Sequence, residues 1–172
     1  MQRLITRLVF CVVPLAMIAC AEDQNTEVTE VYTANSTIEL LEPAIFEINF
    51  DYNYNDVFDD GDTVSLVVKV PPQLEYLKNS AELNEWGSDE QYVNPFARKC
   101  ADGTTYLAFV FDDNDLDNAY SPDNADAQLS ITLVGVRRGQ EVTVEATASS
   151  DNVPYGCRED FTADDSETIE VQ

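Results

Sequence analysis

Residues 46–54 read FEINFDYNY, and their apolar and polar side chains alternate strictly. The apolar set is Phe46, Ile48, Phe50, Tyr52 and Tyr54, and the polar set between them is Glu47, Asn49, Asp51 and Asn53. Successive side chains of an extended strand point to opposite faces of a sheet. This period of two therefore predicts a strand with one buried face and one solvated face.

The same signal recurs along the chain with turn residues between the runs. Alternating runs lie at 63–70, which Pro71-Pro72 ends, at 129–133 and at 141–148. Tyr106–Phe111 is apolar on both faces, which predicts a central strand covered on both sides. Shorter candidate strands lie at 28–33, 38–41, 74–77 and 168–171, and residues 80–93 hold at most a helical turn near Trp86. Short strands separated by Gly, Pro, Asn and Asp predict an all-β protein, a single antiparallel β-sandwich of about seven to nine strands.

The first twenty residues have the composition of an export signal. Arg3 and Arg7 precede an apolar run over 8–19, and Cys20 then meets an abruptly polar sequence. The run is too short to span a bilayer comfortably and contains Pro14, so it favours a cleaved leader over a transmembrane helix. The end of the run, Met17-Ile18-Ala19-Cys20, resembles the lipobox of bacterial lipoproteins.

That resemblance implies where in the cell the chain is located. It implies a signal peptide over 1–19, acylation of Cys20, and a lipid anchor in the bacterial cell envelope. Ala21 at the second mature position is similar to the pattern sorted to the outer membrane in Gram-negative lipoproteins. The polar residues after Cys20 predict a flexible tether, so the expected division is 1–19 signal peptide, 20–30 lipidated cysteine and tether, and 31–172 folded domain.

Charge is the dominant feature of the composition. Without the leader, seven basic residues remain against 33 acidic ones, a net charge near −26. Such a surface repels nucleic acid and anionic lipid headgroups, so neither is an expected partner. Solubility in a salty habitat and cation binding are both compatible with this charge. Disorder is disfavoured because the apolar residues are abundant and patterned.

The cysteines separate by position. Cys11 lies in the leader and Cys20 at the predicted lipid site, which leaves Cys100 and Cys157. In an oxidising compartment these two most simply form a disulfide. A two-cysteine metal site is the alternative, although the chain has no histidine to complete it.

The absence of histidine also bears on catalysis. Neither a Ser-His nor a Cys-His pair can form within the chain. No glycine-rich phosphate loop, zinc pattern or nucleophile elbow appears, and acidic pairs are too numerous for any one to stand out. The sequence therefore predicts a protein that is not an enzyme. A hydrolase working with two carboxylates remains the remote alternative.

Two acidic segments have ligand-like spacing for calcium, which binds six to eight hard oxygens. The first comprises Asp51, Asn53, Asn55, Asp59 and Asp62, and the second comprises Asp113, Asp115 and Asp117. In the first segment Asp56 stands where calcium loops usually have glycine, and Asp62 replaces the bidentate glutamate. Solvated acidic surface is the alternative for both segments, so calcium is a possible cofactor and no other is expected.

A second resemblance concerns the fold. The segment GDTVSLVVKVPPQLEY at 61–76 is similar to the entry of bacterial surface repeats with an immunoglobulin-like fold. Residues 133–148, with Gly135 and Gly139 before an alternating strand, are similar to their closing hairpin. The resemblance implies an immunoglobulin-like sandwich.

These features together predict a non-catalytic, lipid-anchored structural or protein-interaction module of the bacterial cell envelope. Its expected partners are the membrane, through the anchor, and an unidentified envelope protein or glycan. The alternative is a calcium-dependent adhesion or carbohydrate-binding domain. Its aromatic candidates for stacking on sugar rings are Tyr52, Tyr54, Trp86, Tyr92, Tyr120 and Tyr155.

Overall fold

The computed structural model describes residues 26–53, 57, 63–85, 91–112, 115–116, 125–150, 157 and 161–172. These residues form twelve β-strands. The strands are β1 (Glu27–Tyr32), β2 (Thr37–Ile38), β3 (Pro43–Tyr52), β4 (Val64–Val70), β5 (Leu74–Tyr76), β6 (Ala81–Glu85), β7 (Gln91–Val93), β8 (Phe96–Lys99), β9 (Thr105–Phe111), β10 (Ala125–Gly135), β11 (Gly139–Ser149) and β12 (Asp165–Val171).

The strands form two six-stranded sheets that face each other as a sandwich. Sheet A has the order β1-β3-β10-β6-β7, and β5 also pairs with β10. Sheet B has the order β2-β12-β11-β4-β9-β8. Neighbouring strands are antiparallel throughout, except that β2 pairs with β12 in parallel. The all-β sandwich predicted from the sequence is therefore confirmed.

One continuous apolar core lies between the sheets, and the predicted alternation places its residues there. On β3 the side chains of Phe46, Ile48, Phe50 and Tyr52 are buried, and the residues between them are partly exposed. The central strand of sheet A, β10, contributes Leu129, Ile131 and Leu133 in the same way. From sheet B, the core receives Val64, Leu66, Val68, Val70, Leu107, Phe109, Phe111, Val142, Val144 and Ala146.

Two carboxylates join the sheets at the β1 edge. The Asp164 carboxylate accepts hydrogen bonds from the backbone N–H groups of Val28 on β1 (3.1 Å) and Ala148 on β11 (2.9 Å). The neighbouring Asp165 carboxylate accepts one from the N–H of Val31 (2.6 Å). Buried backbone donors need partners. These two residues therefore supply β1 with partners from sheet B and close that side of the sandwich.

The fold differs from the prediction in the number of strands. All nine predicted strands are present, and β6, β7 and β8 are additional, so the expected seven to nine was wrong. Two of the additions, β6 and β7, occupy most of the segment for which a helical turn near Trp86 was considered. Trp86 itself lies outside the described residues. Antiparallel pairing was also not complete, because Val171 pairs in parallel with Ile38.

Sheet A includes residues that precede residue 31. Strand β1 starts at Glu27 and pairs with β3, and it buries Val28 and Val31. Residues 27–30 of the expected tether thus belong to sheet A, because burial of the apolar Val28 side chain in the core is favourable.

In the part of the chain that the structure describes, no helix has the length and apolar character needed to cross a membrane.

Candidate functional site: an acidic row and a disulfide-linked cover

Most of the residues predicted to bind a lipid or a metal lie outside the described part of the chain. These are Cys20, Asn55, Asp59, Asp62, Asp113 and Asp117. Asp51, Asn53, Asp115, Cys100 and Cys157 are described. The lipid site and both calcium loops therefore stay predictions, and the geometry can be given only for this second group.

Asp51 lies within β3, at the centre of a row of carboxylates on the outer face of sheet A. The strand register places Asp51 opposite Glu27 of β1 on one side and opposite Asp126 of β10 on the other. A shallow depression of about 500 Å³ adjoins the row, and Asn49, Asn84 and Gln128 contribute to its lining. Like charges directly opposite one another on neighbouring strands destabilise a sheet. The carboxylates of the row therefore repel one another in the native state.

The electrostatics of Asp51 follow from this geometry. Partial burial, followed by the charges of Asp126 and Glu27, raises the pKa of the Asp51 carboxyl above its ordinary value. The native state therefore holds the Asp51 proton to higher pH than the unfolded state does. Stability must fall as pH rises from the unfolded pKa through the raised native pKa, and the ionised group is unfavourable at neutral pH.

We expect Asp51→Asn to raise the melting temperature at pH 7 and to leave it nearly unchanged at pH 3, where Asp51 is protonated in both states. Thermal unfolding at the two pH values measures this. The matched control is Glu82→Gln, which removes a carboxylate of β6 on the same face. We expect it to give a smaller gain in melting temperature at pH 7. Salt should reduce the gain, because screening weakens repulsion between exposed charges. A gain that is the same at both pH values would show that charge is not its cause.

Asp115 lies in a turn after β9. Its carboxylate accepts a hydrogen bond from the N–H of Asp112 (3.1 Å), and its own N–H donates to the Asp112 carbonyl (3.1 Å). These two hydrogen bonds join Asp112 and Asp115 within the turn. Among the described residues, no three Cys, Asp or Glu side chains are arranged to hold a metal.

The predicted disulfide is present. Cys100 and Cys157 are bonded, with a Cα–Cα distance of 5.5 Å and 57 residues of sequence separation. Cys100 follows β8 in a tight turn, in which its N–H donates to the Thr104 carbonyl (2.7 Å). Gly103 has φ 96° in this turn, a conformation that favours glycine.

Asp102 supports the same turn. Its carboxylate accepts hydrogen bonds from the backbone N–H of Thr104 and from the Thr104 hydroxyl, both at 3.0 Å. These bonds, first the one from the backbone, lower the pKa of the Asp102 carboxyl. They favour the folded turn above the unfolded pKa and are lost as pH falls through the lowered one.

The disulfide lies beside a second, smaller apolar cluster on the outer face of sheet B. Val67, Tyr106 and Ala108 are buried there, and Cys100 and Phe161 pack against them. The rings of Tyr106 and Phe161 meet edge to face, with centroids 5.7 Å apart. The double-sided burial predicted for 106–111 is thus confirmed for 106–109, whereas Val110 is 41% exposed. Phe161 and the disulfide form what we call the cover, which shields the middle of sheet B.

Lys69 borders the cover. Its ammonium forms a salt bridge with the Glu145 carboxylate on the adjacent strand (2.5 Å) and lies 5.5 Å from the centroid of the Phe161 ring. The ammonium is thus shared between a carboxylate and an aromatic face, and both contacts attract a cation. Lys69 therefore connects β4, β11 and the cover.

The buried polar side chains of the described residues are hydroxyls, those of Thr26, Thr33, Ser65 and Thr104. None of the carboxylates in the described ranges is among them.

No protein-family model matches the chain, and no curated protein matches it. Among solved structures, the chain is similar to the major pilin SpaA of Corynebacterium diphtheriae, with a TM-score of 0.58 and 11% identity. The match covers 80% of this chain and 35% of SpaA, so the chain spans about a third of that pilin. The SpaA structure is described as pointing to a modular pilus assembly with stabilizing isopeptide bonds.

Two further likenesses are weaker. A pilus 2b backbone protein of group B streptococcus gives a TM-score of 0.47 at 11% identity and covers 81% of this chain and 56% of its own. AvmM, which catalyses macrocyclization in alchivemycin A biosynthesis, gives 0.44 at 11% identity and covers 87% and 89%. At its low identity, the SpaA match establishes the fold alone, that of a two-sheet β-sandwich.

Proposed function

We propose that the chain is a non-catalytic, lipid-anchored structural or protein-interaction module of the bacterial cell envelope, with an immunoglobulin-like sandwich as its folded part. The observation that carries the proposal is the Cys100–Cys157 disulfide, whose Cys100 packs against the outer face of sheet B. Structural disulfides form and persist in oxidising compartments and are rare in the cytosol. A disulfide is thus what an exported domain would contain, and the leader at 1–19 supplies the export signal.

The non-catalytic part of the proposal rests on composition and on the interior. The chain has no histidine, so the commonest general base of enzymes is missing. The inward face of each sheet is filled with aliphatic and aromatic side chains, which gives the sandwich a rigid core. The likeness of its fold to a pilin is compatible with a structural role. A fold alone, however, does not define a function.

The surface carries exposed apolar side chains that a protein or glycan partner could contact. Large apolar side chains are exposed at Tyr92 (74%) and Phe96 (62%) on β7 and β8, and at Leu41 (79%) before β3. Exposed aromatic residues are enriched where proteins bind one another. Tyr92, one of the aromatic residues predicted as a binding candidate, is therefore on the surface, whereas Tyr52 belongs to the core.

The anchor is tested by Cys20→Ala in the full chain expressed in a Gram-negative host. We expect the variant to move from the membrane fraction to the soluble fraction, because several acyl chains hold a protein far more firmly than its polypeptide would. Fractionation followed by immunoblotting measures this. Cys11→Ala is the matched control, since it removes a leader cysteine that is not at the lipobox, and it should stay membrane-bound. Retention of Cys20→Ala in the membrane would refute the lipid anchor.

A further inference from the structure

The structure contains a cleft at one edge of the sandwich, opposite the edge that Asp164 closes. It has a volume of about 350 Å³ and lies between β5 of sheet A and β8 and β9 of sheet B. Leu107 and Pro95 give it apolar walls, and Asn79 and Asn94 add side-chain amides. The volume falls at the lower end of the range for small-molecule sites. We call this feature the edge cleft.

The charge of the edge cleft is opposite to that of the protein. Two of the nine basic residues in the chain, Lys78 and Lys99, line it together with one acidic residue, Glu75. Within the described ranges Lys69 forms a salt bridge, whereas Lys78 and Lys99 do not. The cleft thus carries one net positive charge on a molecule with a formal net charge of −24. It is matched to a ligand with a single negative charge.

A buried polar atom without a partner points to the same ligand. Tyr76 faces inward from β5, opposite Leu133 in the register, and lines the edge cleft. Its hydroxyl is buried, and no hydrogen-bond partner for it exists in the part of the chain that the structure describes. A buried hydroxyl without a partner is costly, so native proteins normally satisfy it with protein, water or ligand. An oxygen of a bound ligand would satisfy the Tyr76 hydroxyl once the side chains that cover the hydroxyl move aside.

We propose that the edge cleft binds a small molecule that bears one carboxylate on an apolar or aromatic body. Lys78 and Lys99 pair with the carboxylate, the Tyr76 hydroxyl donates a hydrogen bond to it, and the wall around Leu107 contacts the apolar part. Charge-assisted hydrogen bonds of this kind are about twice as strong as neutral ones, which favours the carboxylate over its uncharged amide. The proposal goes beyond the envelope-module function and does not depend on the anchor.

The test uses the full-length chain in detergent with fluorobenzoate as the probe and fluorobenzamide as its uncharged isostere. A ligand of this size is expected to bind with a Kd of about 1 mM. Ligand-observed fluorine NMR titration measures both affinities. We expect saturable fluorobenzoate binding, at least about tenfold tighter than that of fluorobenzamide and weakened by salt. Equal affinities, or no saturable binding, would overturn the proposal and leave a cleft that holds only water.

Two double variants test whether fluorobenzoate binds in the edge cleft. Lys78→Met with Lys99→Met should abolish the preference for fluorobenzoate. Arg137→Met with Arg138→Met is the matched control, because it removes the same charge from an exposed turn that does not line the cleft, and it should preserve binding. If both double variants lose binding equally, the effect is one of net charge and the proposed site is wrong.

Tyr76→Phe provides an independent measurement. It removes the hydroxyl that has no partner, so the free protein should melt at an unchanged or higher temperature, while fluorobenzoate binding weakens about fivefold to tenfold. If the variant binds fluorobenzoate as tightly as the wild type, the Tyr76 hydroxyl does not contact the ligand. Because this variant is not expected to destabilise the fold, lost binding cannot be attributed to misfolding.

Discussion

Phe50→Ala is expected to lower the free energy of unfolding by about 3–5 kcal/mol. Phe50 lies in the middle of β3 with no exposed surface. Its ring stacks on that of Phe111 from sheet B, with centroids 5.8 Å apart, and lies 6.2 Å from that of Tyr52. The substitution removes this ring contact between the two sheets and leaves a cavity, because the surrounding β-strands cannot collapse onto an alanine.

Urea denaturation of the wild type and the variant measures this loss. For a domain of this size, it corresponds to a fall in melting temperature of roughly 6–20 °C. Ile45→Ala is the matched control from the same strand, because Ile45 is 58% exposed, and we expect a change within about 0.5 kcal/mol. Similar losses for the two variants would contradict the assignment of Phe50 to the core face of β3.

The second large effect is expected from removal of the disulfide. Replacing Cys100 and Cys157 together by serine should lower the free energy of unfolding by about 2–5 kcal/mol. For a loop of 57 residues the chain-entropy model gives about 4 kcal/mol, through the constraint that the bond places on the unfolded chain. Loss of the bond also frees the cover, so amide hydrogen exchange should increase at Val67, Tyr106 and Ala108.

Thermal unfolding with and without reductant separates these effects. The wild type should lose stability on reduction, and the double serine variant should not respond. Mass spectrometry of unreduced peptides should find Cys100 joined to Cys157. Two free thiols in the exported protein would contradict the disulfide, and an unchanged melting temperature would contradict its structural role.

The sequence predicted the parts of the fold whose burial has a clear period. The strict alternation of Phe46 to Tyr52 marked β3, and the alternation of Val64, Leu66, Val68 and Val70 with more polar residues marked β4, because these apolar side chains face the other sheet. The run from Tyr106 to Phe111 is apolar on both faces, since Leu107, Phe109 and Phe111 pack in the core and Tyr106 and Ala108 pack under the cover. The disulfide followed from elimination, because Cys100 and Cys157 were the two cysteines left after the leader and the lipid site.

The strands that sequence reasoning missed have no such period. Every residue of β8, from Phe96 to Lys99, is exposed, so nothing in its hydropathy distinguishes it from a loop. Strand β6 is short, and Ala81 and Leu83 are its two core residues. The parallel pairing of Ile38 with Val171 joins distant parts of the chain and leaves no local signal.

The candidate sites also lack a local sequence signal, because they form only through the pairing register of distant strands. Glu27, Asp51 and Asp126 are separated widely in sequence, and only the pairing of β1, β3 and β10 brings them into one row. Spacing alone suggested instead that Asp51 belongs to a calcium loop. The edge cleft combines Lys78, after a strand of sheet A, with Lys99 of sheet B, so no linear motif marks it.

The most direct test of the proposed function is the intact mass of the full chain after expression in a bacterium and extraction from its membranes. We expect a polypeptide of residues 20–172 that carries the added mass of acyl groups at Cys20 and lacks the two hydrogens lost in the Cys100–Cys157 bond. A chain that retains residues 1–19, or one that begins at Cys20 with no added mass, would contradict the lipid-anchored envelope module.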